Sequence, residues 1–209
     1  MNACSLPVKL RNVAYPFFGV QRATPASHGW CALEKSGAPP GPMAKWDMPE
    51  SLTKSLAQVL AYEYVNLRVL TEEQGAMRLA GADSWSRKEE LGHLIDSAVN
   101  NHVRFAAASL QTEFSGPAYE QDGWVRAHGY HEMPWLPLLD SWRQHNELLL
   151  HLVKRIPEER LTVPCRIGSA RPVTLRFLIE DYVLHMQHHL DHILSREKVT
   201  QYPGAAAGI

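Results

Sequence analysis

The chain has 209 residues, with 21 Lys and Arg against 22 Asp and Glu, and a formal charge of −1 at pH 7. That length suffices for one domain with a proper core and leaves room for an appendage. The charge balance offers no footprint for nucleic acid or an anionic membrane surface; the six tryptophans do not interleave with a basic patch, and no apolar run approaches the roughly 18 residues of a membrane span. Three cysteines, Cys4, Cys31 and Cys165, form no C-x-x-C and are odd in number. They suit a reducing cytoplasm better than a disulfide framework. Residues 1–11 have neither an apolar core nor a cleavage site, so no export signal is expected.

Residues 1–46 show no sustained period. They carry Pro7, Pro16 and Pro25 and then Gly37-Ala38-Pro39-Pro40-Gly41-Pro42, a run that reads as linker. An irregular, Pro-rich extension is expected here, with 1–42 a loose tail or an over-long reading frame. The first helix is expected over 48–72, capped by Asp47 with Glu50 as reciprocal partner. Its apolar face runs through Leu52, Leu56, Val59, Leu60, Leu67 and Leu70. Glu63 falls on that face, which a small rotation of the helix brings to the rim. Ser86 and Glu89 form a second capping box and open a helix over 86–110. Leu91, Leu94, Ile95, Ala98, Val99, Phe105 and Ala106 are its expected core stripe. His93, Asp96, Asn100 and Arg104 make a polar row on the other side, which by periodicity alone is the wet side.

Residues 111–133 are aperiodic and crowded with Tyr119, Asp122, Trp124, His128, Tyr130 and His131, a loop that can cover a site or a bundle end. A third helix is expected over 134–156, with Trp135, Leu139, Trp142, Leu149, Leu150 and Val153 inward. Asn146 sits in that face, as a structural bridge or as support for a site. Residues 158–173 read as a connection. Val163 to Ile167 could form a strand, although alone it would have nothing to pair with. Thr174 then caps a last helix over 174–198, and 201–209 are expected to fray. Four long amphipathic segments give an all-α fold, a four-helix bundle over 47–200.

The last helix holds Leu184-His185-Met186-Gln187-His188-His189-Leu190-Asp191-His192-Ile193, four histidines within eight residues. Residues four apart share a helix face, so His185/His189 and His188/His192 are the two pairs able to grip one ion. The apolar stripe runs through Leu175, Leu178, Ile179, Tyr182, Met186 and Ile193. His189 falls inside it and His185 at its edge, while His188 and His192 rotate outward. An imidazole turned toward a core is costly unless its nitrogens find partners, and a metal is one such partner. Two imidazoles do not close a site, so a third ligand must come from elsewhere.

Two blocks together resemble the DinB/YfiT-like superfamily: Trp85-Ser86-Arg87-Lys88-Glu89-Glu90-Leu91-Gly92-His93-Leu94-Ile95-Asp96-Ser97 with Asn100-Asn101-His102-Val103-Arg104-Phe105, and the final His185-x-x-x-His189. The likeness spans about 50 to 200. It implies a four-helix bundle, often dimeric, with a divalent metal on one histidine of the second helix and two of the last. Those map onto His93, His185 and His189. It also implies that the polar row of His93 faces the site, with Asp96, Asn100 and Arg104 around it. Three imidazoles leave a position open for water or substrate. The ion is expected to be Zn, Ni, Mn or Fe, and the substrate a small molecule.

The resemblance thus implies a metal-dependent hydrolase. Alternatives on the same site are a transferase using a low-molecular-weight thiol and a non-catalytic bundle stabilised by its ion. Asp96 and Glu63 are the candidate general bases, and Arg104 the candidate cation for a thiol's carboxylates. A homodimer in the cytoplasm is the expected setting.

Overall fold

The computed structural model describes residues 50–81, 84–196, 200 and 202. The Pro-rich stretch 1–46 and the proposed Asp47 cap lie outside the described residues. Four long helices carry the fold: α1 (Glu50–Arg68), α3 (Arg87–Leu110), α5 (Trp135–Val153) and α6 (Leu175–Ile193). Two short helices, α2 (Glu72–Ala76) and α4 (Gln121–His128), sit in the connections. α3 packs on both α5 and α6, and α1 packs on the same two helices. The core between them is apolar, with Leu56, Leu67, Leu91, Phe105, Trp142, Leu149, Ile179 and Met186 almost fully enclosed.

Helix ends are tied by long-range side chains rather than left to solvent. Ser86 caps α3 through the expected capping box, its hydroxyl accepting from Glu89 N while the Glu89 carboxylate accepts from Ser86 N. Arg87, the first residue of α3, donates through Nε to Ile193 O at 2.6 Å and through Nη2 to Ser195 Oγ at 3.0 Å. It satisfies an orphan carbonyl at the end of α6, and so sets α3 and α6 antiparallel with His93 level with the histidine turn of α6. At the other end of α3, Arg160 donates to the carbonyls of Ser109, Ala108 and Gln111, a cation where the helix dipole favours one. Glu72 joins the buried Lys88 to the start of α5, accepting from Trp135 N at 2.8 Å.

Several expectations are corrected. The first helix stops at Arg68 and the third at Val153, and the last ends at Ile193, short of 198. The segment at 164–167 does find partners. β2 (Pro164–Ile167) pairs parallel with β1 (Phe114–Gly116) and antiparallel with β3 (Val173–Thr174). β1 comes from the stretch read as aperiodic, and α4 from the same stretch. Gly168, at φ 56°, turns the chain after β2, and its N–H donates to Gly116 O at 2.8 Å. Val99 is exposed rather than core. The polar row of α3 is not its wet side: His93, Asp96 and Arg104 are all buried. A helix packed on two neighbours has no wide wet face, so amphipathicity misassigns it.

Candidate metal centre

The antiparallel register of α3 and α6 brings His93, His185 and His189 together at one end of their shared groove. His93 Nε2 and His185 Nε2 lie 3.1 Å apart. The ring of His189 is centred 4.7 Å from that of His93 and 4.6 Å from that of His185. One ligand atom from each of the three lies within 4.8 Å of the others. Two imidazole nitrogens on a tetrahedral ion about 2.0–2.1 Å away would sit roughly 3.3 Å apart, so the spacing suits a shared cation. His93 is wholly buried, and neither its Nδ1 nor that of His189 has a hydrogen-bond partner among the described residues.

Burial disfavours charging these rings. It pulls His93 down to about 2 and His185 and His189 each to about 3, with the neighbouring imidazoles adding to the effect. The rings are therefore neutral over the working pH range and have lone pairs to give. Neutral imidazoles whose lone pairs converge are unfavourable without an acceptor for those pairs, and an ion beside the facing Nε2 atoms of His93 and His185 would be one. The residues present fit a divalent metal.

Around the triad stand groups not singled out by periodicity. Glu90, one helical turn before His93, places Oε2 3.5 Å from His189 Nδ1 and Oε1 3.8 Å from His192 Nδ1. Burial raises its carboxyl to about 7. Glu90, His189 and His192 form a second cluster with metal-compatible spacing. Trp85 covers His93 and His189, with ring centres 5.1 and 6.5 Å away. Tyr202, in the stretch expected to fray, lies 5.6 Å from His185, and its hydroxyl engages Asp181. Asp181 and His185 are neighbours on one face of α6 and line a cavity with Ser97, Asn101, Arg104 and Tyr119. The sequence reading missed both carboxylates, although helical spacing carried a signal for each: Glu90 is three residues before His93 and Asp181 four before His185.

The remaining candidates are placed as follows. Asp96 accepts a 2.6 Å bond from Tyr130 and lies 3.3 Å from His128 Nδ1, so its contacts lead to the end of α4 and the turn that follows it. Glu63 is buried rather than at the rim and takes Arg196 in a forked pair at 2.7 and 2.8 Å. None of its recorded partners is a histidine of the triad. Arg104 lines the cavity that reaches His185. His188 and His192 touch through tilted rings, 4.3 Å between centres. Asn146 is a structural bridge, donating to Trp142 O at 2.9 Å and accepting from the buried Tyr182 hydroxyl.

Residues 55–193 match the family model of the DinB superfamily. The chain belongs to the DinB superfamily. It is similar to a protein of Halalkalibacterium halodurans named a putative metal-dependent hydrolase, 24% identical over 127 residues that span 61% of this chain and 74% of the relative. Its fold matches that of YfiT from Bacillus subtilis, described as a probable metal-dependent hydrolase with an unusual four-helix bundle topology. That match has a TM-score of 0.64 at 18% identity and covers 76% of this chain and 90% of the other. Among the described residues no helix is long and apolar enough to cross a membrane.

Proposed function

We propose that this protein is a metal-dependent hydrolase of small molecules, with one divalent ion held by His93, His185 and His189. The observation that carries the reading is the approach of two neutral Nε2 atoms, that of the buried His93 and that of the half-buried His185, to 3.1 Å with a third ring against both. An ion so held supplies Lewis acidity that makes water, or a thiol, nucleophilic near neutral pH. Glu90 orients His189 by facing its Nδ1, which leaves the other nitrogen for the metal. Trp85 shields the histidines from bulk water. Asp181 shares a cavity with His185 and takes the proton-transfer role first sought at Asp96 or Glu63. Burial raises its carboxyl above the ordinary range, moving it toward the pH at which a base works best.

A thiol-dependent transferase is the second reading, favoured by the cationic Arg104 in that cavity. The test is metal per chain by elemental analysis, on protein purified without chelator or nickel resin. Wild type should carry about one equivalent. His93→Ala, His185→Ala and His189→Ala should each lose most of it, because two imidazoles hold such an ion poorly. His188→Ala and His192→Ala should stay near full. Metal loss in His188→Ala with retention in His185→Ala would transfer the site to the other face of α6. Hydrolysis of an ester and amide panel should stop with chelator and return with the metal.

A further inference from the structure

The cavity that opens beside His185 has a charge that the proposed chemistry leaves unused. Arg104 is 6% exposed, yet it lines this cavity with Ser97, Asn101, Tyr119 and Asp181. Its guanidinium has five donors and few takers. Nη2 donates to Pro117 O at 3.1 Å and Nη1 to Asn101 Oδ1 at 3.4 Å. Both acceptors are neutral, and among the described residues no carboxylate forms an ion pair with it. The other buried cation, Lys88, pairs with Glu72, and the half-buried Arg196 pairs with Glu63. A buried cation lacking a counter-charge is costly. The α3 dipole does not offset that cost, since Arg104 is six residues from the helix end and the dipole fades within the last turn.

Position along the helices gives the cavity a direction. Asp181 is one turn from His185 on α6, and Tyr202 holds it there. Arg104 is eleven residues beyond His93 on α3, roughly 16 Å of helix rise. The cavity therefore has a carboxylate one turn from His185 and a guanidinium that enters its wall from further along α3. Tyr119, kept neutral because burial pushes its phenol up, is a second donor near that guanidinium.

We propose that Arg104 binds the terminal carboxylate of an elongated small substrate whose other end reacts at the histidines. The forked donors of Arg match a planar carboxylate in a way a point charge does not. This rests on the metal reading above and narrows it to a substrate class.

The experiment uses full-length protein loaded with cobalt(II) and ω-mercapto acids of three, six and eight carbons. Each is compared with the neutral mercapto alcohol of the same length. Thiolate binding is read from the sulfur-to-cobalt absorption. At six or eight carbons the acid should bind at least 10-fold tighter than the alcohol, while at three carbons the two should bind alike. Arg104→Gln should abolish the preference and leave alcohol binding unchanged; Arg104→Lys should keep part of it. Equal binding of acid and alcohol at every length overturns the proposal, even if no variant folds. So does a preference that survives in Arg104→Gln. Failure of cobalt to bind at all, or binding that persists in His185→Ala, would instead strike the metal reading.

Discussion

At the scale of single residues, Glu90 carries the most specific expectation. A carboxylate facing the far nitrogen of a ligating imidazole fixes its tautomer and raises its basicity. Glu90 stands 3.5 Å from His189 Nδ1. Glu90→Gln should weaken metal affinity about 10–100-fold without emptying the site at saturating metal, as read by competition with a chromophoric chelator. Unchanged affinity would reduce Glu90 to a packing role. Protons give a second expectation. In the unfolded chain an imidazole titrates near 6.5, whereas burial holds His93 to about 2 and His185 and His189 to about 3. The unfolded state therefore binds more protons below pH 6.5, and the stability contributed by neutral histidines is lost as pH falls toward 3. Glu90 acts oppositely, since its raised carboxyl favours the native state as pH drops through about 7. The carboxyls of Asp96 and Asp181, also raised by burial, act with Glu90, but the three rings are displaced further and outweigh them. The melting temperature of metal-free protein should fall steadily from pH 6.5 to 4, and His93→Ala should flatten the slope.

At the scale of elements, α3 decides how much of the site is legible from sequence. Its start was readable because Ser86 and Glu89 form a local motif whose physics lies within four residues. The α6 pair was readable because four-residue spacing fixes a helix face. His93 was not readable from pattern, because α3 is enclosed by two helices and its polar row is covered rather than wet. Only the resemblance to a known family placed His93 at the site. The β1–β2 pairing was equally hidden, since Phe114 meets Cys165 with α4 and α5 between them in the chain and strands of three or four residues leave little periodic signal.

Gly92 shows the same dependence on tertiary context. A Cβ there would come within 2.1–2.2 Å of the Tyr130 ring, the ring whose hydroxyl holds Asp96. Gly→Ala inside a helix normally gains roughly 1 kcal/mol. Here overpacking against the root of an aromatic ring, at the upper end of about 1–3 kcal/mol, should reverse the sign for a net loss of about 2 kcal/mol. Near this chain length that is a melting temperature lower by roughly 4–8 °C. A Gly92→Ala protein as stable as wild type would show that Tyr130 moves aside freely.

At the scale of the whole molecule, the open question is what covers the outer face of α1. Leu52, Leu56, Val59, Leu60 and Leu67 face the core, yet Tyr62, Val65 and Val69 are 67%, 64% and 76% exposed. They recur at spacings of three and four, so they form one stripe on the other side of the helix. Single exposed apolar residues are ordinary, but an aligned row is a contact surface waiting for a partner. A second copy can cover it through a two-fold axis that sets the same stripe against itself. Sedimentation at micromolar concentration should therefore show a species near twice 23.6 kDa. Val65→Glu, which puts a charge at the centre of the stripe and touches nothing in the core, should return the protein to monomer with its metal content intact. A wild-type monomer would remove the dimer altogether, and a dimer that survives Val65→Glu would move the interface off α1. Because the histidines are contributed by α3 and α6, metal content in the monomeric variant also reports whether the site needs its partner.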